Sequence, residues 1–256
     1  LLWAKYRARS SGVLQPGRGS ARSVFMKSFA HEIHGMPVHA TDGEIGTIQD
    51  VLFDPDSWTV RYLEVSTGWL FGRDVLIPVD KVKSVQAPDG AVTFDLTREQ
   101  IENSPPAEPE RPVDRGYETR LMGHYGLSPY WAAPPEVGVP PQAMPVERPA
   151  GETREASELL SGGEIDGYDL DAEDGTVGTV RDVLIDVDSW KVISLMADLG
   201  GIFTQDVTTV GIGPVAGIDR DNGIVHLSVP LEKVDDRRRI AGENLPFVFP
   251  YVPPIA

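Results

Sequence analysis

One phrase is written twice in this chain. It reads DGEIGTIQDVLFDPDSW from Asp42 to Trp58 and DGTVGTVRDVLIDVDSW from Asp174 to Trp190. Most positions are identical, and nearly all the others exchange one apolar residue for another. The shared register continues through Gly68/Gly200, Phe71/Phe203, Asp74/Asp206 and Val75/Val207. The spacing is too long for a solenoid, so the repeat predicts two copies of one small domain in 256 residues. Each copy is near the lower size limit at which one core holds without staples.

Within each copy the pattern is that of strands. Val92, Phe94 and Leu96 alternate with Thr93 and Asp95, and Val225, Leu227 and Val229 alternate with His226 and Ser228. Val75, Ile77 and Val79 repeat the same period of two, which marks half-buried strands. Turn signals separate these runs: Asp42-Gly43, Asp174-Gly175, Pro88-Asp89-Gly90 and Asn222-Gly223. A further turn, Asp54 to Ser57 and Asp186 to Ser189, is followed each time by a Trp. Gly46 and Gly178 lie inside strand-like runs, where glycine marks a bulge or sharp bend. Short antiparallel strands at regular spacing with little helix predict an all-β class: two small barrels, closed so that no edges are left exposed.

The rest of the chain divides around these copies. Residues 1–29 form a basic leader with Lys5, Arg7, Arg9, Arg18 and Arg22 and no acid before Met26, expected to be disordered. Residues 30–103 are the first barrel, ending in a short helix announced by the capping box of Thr97 with Gln100. At the matching place in the second barrel, residues 161–235, Pro230 predicts a shorter or absent helix. Residues 104–160 are a Pro-rich linker with one helical island at 114–126. There Tyr117, Leu121 and Tyr125 share a face expected to pack on a barrel. Pro129-Tyr130-Trp131 closes the island, and residues 236–256 are a Pro-rich, apolar tail expected to pack against a neighbour.

Composition limits function. A formal net charge of -16 repels nucleic-acid phosphates and anionic lipid, so nucleic acid is not an expected partner. No run approaches the roughly 20 apolar residues of a membrane span. The chain contains no cysteine, which excludes disulfides and thiolate metal sites and fits a reducing compartment such as the cytoplasm.

The stretch His39 to Gly46, then Asp50 to Asp54, then Ser57 to Leu63 resembles the PRC-barrel, the barrel domain of the photosynthetic reaction-centre H subunit and of a bacterial ribosome maturation factor. Asp95 to Pro105 and the Tyr117 to Trp131 island resemble the bacterial branch with two tandem barrels. The resemblance covers residues 30–131, with a weaker copy over 163–234. It implies a six-stranded antiparallel barrel in each half and a role as an assembly or interaction module. The H subunit has a membrane helix before its barrel; the sequence shows none before this one.

Candidate chemistry is sparse. Asp50, Asp54 and Asp56, with Asp182, Asp186 and Asp188, carry oxygen ligands a hard cation could take. The turn offers a simpler use: Asp54 and Asp56 shape it through side-chain to backbone bonds, leaving Asp50 exposed on a strand. Asp219-Arg220-Asp221-Asn222-Gly223 begins like a calcium loop, but Pro230 stands where the closing glutamate belongs. His31, Glu32, His34 and His39 lack the spacing of a zinc hydrolase and read as solvated. His124 reads as core packing beside aromatics. No nucleophile elbow, phosphate loop or dinucleotide fingerprint is present, so no catalytic residue, metal or cofactor is expected. Trp58 and Trp190 are expected to plug barrel ends. Trp69, Leu70 and Phe71 form an apolar loop and, with Tyr117, Tyr125 and Trp131, are the expected partner contacts. The expected function is a non-enzymatic tandem-barrel interaction module, bound to an unidentified protein or to itself. The alternatives are a reaction-centre H-subunit-like accessory, peripheral at a membrane complex, and a carboxylate metal sensor.

Overall fold

The structure, a computed structural model, describes residues 27–68, 72–86, 90–107, 113–132, 159–200 and 207–236. The leader up to Met26, the Trp69–Phe71 loop and the tail after Asp236 lie outside the described residues. Strands dominate. The first half runs β1 (Lys27–Phe29), α1 (Ala30–Ile33), β2 (Pro37–Ala40), β3 (Gly43–Asp54), β4 (Thr59–Thr67), β5 (Asp74–Pro78), β6 (Val82–Val85), β7 (Val92–Phe94), α2 (Arg98–Glu102) and α3 (Arg115–His124). The second runs β8 (Leu160–Ser161), α4 (Gly162–Ile165), β9 (Asp169–Ala172), β10 (Gly175–Asp186), β11 (Lys191–Asp198), β12 (Val207–Gly211), β13 (Val215–Asp219), β14 (Ile224–Leu227) and α5 (Leu231–Asp236).

Both halves are wired alike. Strands β5, β4, β3, β2, β7 and β6 are neighbours in that order, and β12, β11, β10, β9, β14 and β13 repeat it. The expectation of a purely antiparallel sheet is corrected here, because β2 pairs β7 in parallel and β9 pairs β14 in parallel. The chain passes from β5 into β6 through a 3-10 turn, Val79–Lys81, without reversing direction. The next hairpin therefore delivers β7 in the same sense as β2. Among the described residues no ladder joins β5 to β6, so that turn, and not a hydrogen-bonded seam, connects the two ends of the run.

The repeated glycines do what their place in the strands predicts. Register shifts fall beside both, between Val38 and His39 opposite β3 and between Thr176 and Gly178 in β10. A methyl group on Gly46 would sit 1.9 Å from the Ser66 carbonyl oxygen, and one on Gly178 would sit 2.2 Å from that of Asp198. Only a residue without Cβ lets these strands cross so closely.

Two sequence expectations shift. The second half has its helix: α5 has six residues where α2 has five, with Pro230 just ahead of it, where a missing N–H costs nothing. The ladder position of Val75, opposite Val65, is taken in β12 by Thr208 opposite Ala197, so Val207 lies one step early. The inward side chains of β11 set this register, which buries Thr208 and Val210 in place of Val75 and Ile77.

The core is continuous across both halves, from Ile33, Phe53, Leu63 and Phe94 to Ile165, Val183, Leu195 and Val225.

Candidate functional site

The two halves exchange arms. β1, at the head of the first half, pairs with β10 of the second through Lys27–Asp186, Ser28–Ile185 and Phe29–Leu184. β8, at the head of the second half, pairs with β3 of the first through Ser161–Leu52 and Leu160–Phe53. Each arm then turns once into a short helix, α1 or α4, whose isoleucine, Ile33 or Ile165, is fully buried.

A carboxylate receives each arm. Asp50 accepts the Gly163 N–H at 3.2 Å, and its repeat partner Asp182 accepts the His31 N–H at 3.3 Å. These donors belong to the first turn of their helices, where backbone N–H groups lack intrahelical acceptors. Each carboxylate also accepts the next N–H of its own strand, Val51 or Val183, at 2.7 Å. Asp50 is thus not exposed on a strand, and Asp182 is buried. Burial pushes the Asp50 carboxyl above its ordinary value, against hydrogen bonds from Ser161, Val51 and Gly163 that favour the charge. Small residues allow the two helical turns to meet: a Cβ on Gly162 would lie 3.1 Å from that of Ala30.

The arms differ at one place. Where the second carries Gly163, the first carries His31, whose Nδ1 pairs with Asp182. Burial works against the charged ring, but the Asp182 carboxylate more than offsets this, and the His31 pKa is raised. Glu32 accepts hydrogen bonds from the Ser28 hydroxyl and the Phe29 N–H, both at 3.0 Å. His34 approaches the Gln49 carbonyl. The reading of this cluster as solvated is corrected for His31 and Glu32, which these contacts engage, whereas His34 and His39 are exposed as expected. His124 is exposed, its Nε2 2.7 Å from the Gln100 carbonyl, and is not a core residue.

The repeated turn forms the seam between the halves. Thr59 pairs with Lys191, the Val192 N–H donates to the Trp58 carbonyl at 2.9 Å, and the Val60 N–H donates to that of Trp190 at 2.8 Å. Both tryptophans take left-handed backbone, φ 52° and 53°, a conformation costly for bulky residues and tolerated where the surroundings fix it. Trp58 is half-buried and stacks on Phe53 at 5.8 Å, so it closes the end of its strand pair while its carbonyl links the halves. The Asp54 carboxylate accepts from the Asp56 and Ser57 N–H groups, and Asp186 accepts from Asp188 and Ser189. Arg61 adds a bond to Asp54 at 3.1 Å, and these donors hold the Asp54 pKa low in spite of its partial burial.

The helical island docks on the first half around one carboxylate. Asp114 caps α3 by accepting the Tyr117 N–H at 2.6 Å. One turn on, Glu118 is 0 % exposed and accepts from the hydroxyls of Tyr62 and Tyr130 and from Arg115, each at 3.0 Å. Burial raises the Glu118 pKa against these donors. Burial and the adjacent carboxylate push Tyr62 up strongly and take Tyr130 up to about 12. Arg61 lies 3.9 Å over the Tyr130 ring and Arg115 lies 4.4 Å over Trp131. Of the expected contact residues, Tyr125 is buried, Tyr117 is half-buried with its hydroxyl on the Pro105 carbonyl, and Trp131 is 38 % exposed. Trp69, Leu70 and Phe71 lie outside the described residues. Glu118 and the arm-capping aspartates carry no local sequence signature. The one hint is that Asp50 and Asp182 occupy the same place in the repeated phrase.

Residues 26–101 match the PRC-barrel domain. An uncharacterized protein of Deinococcus radiodurans is 31% identical over 91 residues, covering 34% of this chain and 31% of the relative. The chain thus spans about a third of the length of that relative. No helix among the described residues is long and apolar enough to cross a membrane.

Proposed function

We propose that this chain, whose residues 26–101 match the PRC-barrel domain, is a non-enzymatic interaction or assembly module built from two barrels of that kind. The observation that carries the reading is the reciprocal arm exchange. Each half receives an extended segment from outside itself by strand addition, buries an isoleucine and caps the incoming helical turn with an aspartate. Strand addition of this kind is a general means of recognition, with backbone bonds giving affinity and pockets giving selectivity. The repeated pairing order and the repeated phrase support a barrel of the same kind in the second half. Among the described residues the two buried carboxylates are engaged in holding the fold, Glu118 by Tyr62 and Tyr130 and Asp182 by His31, and the half-buried Asp50 holds Gly163.

In this reading the partner is a protein, and the contacts fall on Trp131 and on the Trp69-Leu70-Phe71 loop, with Tyr117 and Tyr125 holding the island in place. The test is affinity capture from the source cells by the full chain and by a Trp69→Ala, Phe71→Ala, Trp131→Ala variant. A partner retained by the first and lost by the second, at unchanged melting temperature, is the expected result. Identical captured sets would remove these residues from the interface.

A further inference from the structure

The first half wears a cover that the second half lacks among the described residues. After α2 the chain runs beside β5, where Pro106 bridges Val75 and the Ala107 N–H donates to the Asp74 carbonyl at 2.9 Å. The island then docks on the outer face of the β4–β5 pair through Glu118, which accepts the Tyr62 hydroxyl of β4 at 3.0 Å. That face is set by the cross-strand pairs Tyr62–Pro78 and Glu64–Leu76. Tyr62, Leu76 and Pro78 are all buried there.

The corresponding face of the second half consists of Ser194–Gly211 and Met196–Thr209. Gly211 is exposed, and Met196 and Thr209 are half-exposed. Ser194 stands where Tyr62 stands in the first half. It is 6 % exposed, yet its hydroxyl oxygen has no hydrogen-bond partner. A desolvated hydroxyl without a partner is costly, and native structures seldom leave one so.

The chain leaves the second half at the same point and in the same way as the first. The Leu231 N–H at the start of α5 donates to Asp174 at 2.9 Å, as the Arg98 N–H at the start of α2 donates to Asp42 at 2.8 Å. Val234 is buried beneath α5 as Ile101 is beneath α2. Next in the sequence come residues 237–244 and then Leu245-Pro246-Phe247-Val248-Phe249-Pro250-Tyr251. Residues 237–244 reach at most about 30 Å, ample to pass along a five-residue strand.

We propose that the β11–β12 face is a docking site for the chain's own segment Leu245–Tyr251, which covers Met196 and Thr209 and presents a backbone carbonyl to the Ser194 hydroxyl. The segment suits the face. Its aromatics supply the apolar cover that Tyr117, Leu121 and Tyr125 bring to the first half. Its prolines present carbonyls without N–H groups that would need acceptors of their own. This inference does not depend on which protein the chain binds.

The experiment is amide hydrogen exchange on the full chain, comparing wild type with a Phe247→Ser, Phe249→Ser variant. Exchange over Val207–Gly211 should accelerate about fivefold or more, the equivalent of losing one ordinary contact, while Asp74–Pro78 is unaffected. A Ser194→Ala variant provides a second readout: acceleration at the same strand is expected if the hydroxyl is bonded to the tail. Unchanged exchange in both variants would overturn the proposal. So would protection of β12 that rises with protein concentration and ignores the tail substitutions, since a second copy would then be the occupant.

Discussion

Glu118→Ala removes the centre of the island's attachment, and the structure sets the size of the effect. The carboxylate accepts three hydrogen bonds at 3.0 Å, from Tyr62, Tyr130 and Arg115. Bonds to a charged group are worth roughly 1.5–3 kcal/mol each. The Arg115 bond counts for less, about 0.5 kcal/mol, because that side chain is 39 % exposed. Tyr62 is fully buried, so its hydroxyl would lose its acceptor without gaining water, whereas Tyr130 is partly exposed and can turn to solvent. Against these losses stands release of the carboxylate from burial, the same effect that raises its pKa. The net expectation is a loss of about 3 kcal/mol, the low end of what breaking a buried charged network costs. At this chain length that lowers the melting temperature by about 6–12 °C. Denaturant unfolding of Glu118→Ala, Tyr62→Phe and the double variant measures it, with Trp131 fluorescence reporting the island. The double variant should lose at least about 1 kcal/mol less than the sum of the single ones, since both remove the same bond. A single-variant loss below about 0.5 kcal/mol, or strict additivity, would refute the view that Glu118 anchors the island.

Three further outcomes are expected. The folded-state pKa of Glu118 is raised, so burying its charge opposes folding at neutral pH, and this opposition is relieved as pH falls from the raised value towards 4.5; the stability difference between wild type and Glu118→Gln should therefore change over that window, and a constant difference across it would contradict the assignment. His31 has a raised folded-state pKa, so its ion pair with Asp182 contributes fully below pH 6.5 and is lost as pH rises through the raised value. Amide protection at Leu184–Asp186 should fall over that range in wild type and stay flat in His31→Ala. Gly46→Ala forces a methyl group against the Ser66 carbonyl and should cost more than about 3 kcal/mol, seen as loss of the folded fraction; normal expression and melting would mean that β3 and β4 separate more readily than their spacing implies.

Local chemistry is legible in the residues themselves. The duplicated phrase specifies two equivalent halves because side-chain pattern and turn residues act over a few positions. The Asp54 and Asp186 turns, the Thr97–Gln100 capping box and the Asp114 cap all form where the residue types predict. The apolar face of the island is likewise readable from its period. The arms are not: three and two residues of strand are too short to show a period, and nothing local in Lys27–Phe29 or Leu160–Ser161 distinguishes its own half from the other. Which strand an arm joins depends on where the seam at Thr59 and Lys191 brings the two halves together. The same cause hides Asp50, Asp182 and Glu118. Each is an acid on a polar-looking position whose burial and partners come from segments far away in the chain, so only the tertiary structure could give them their roles.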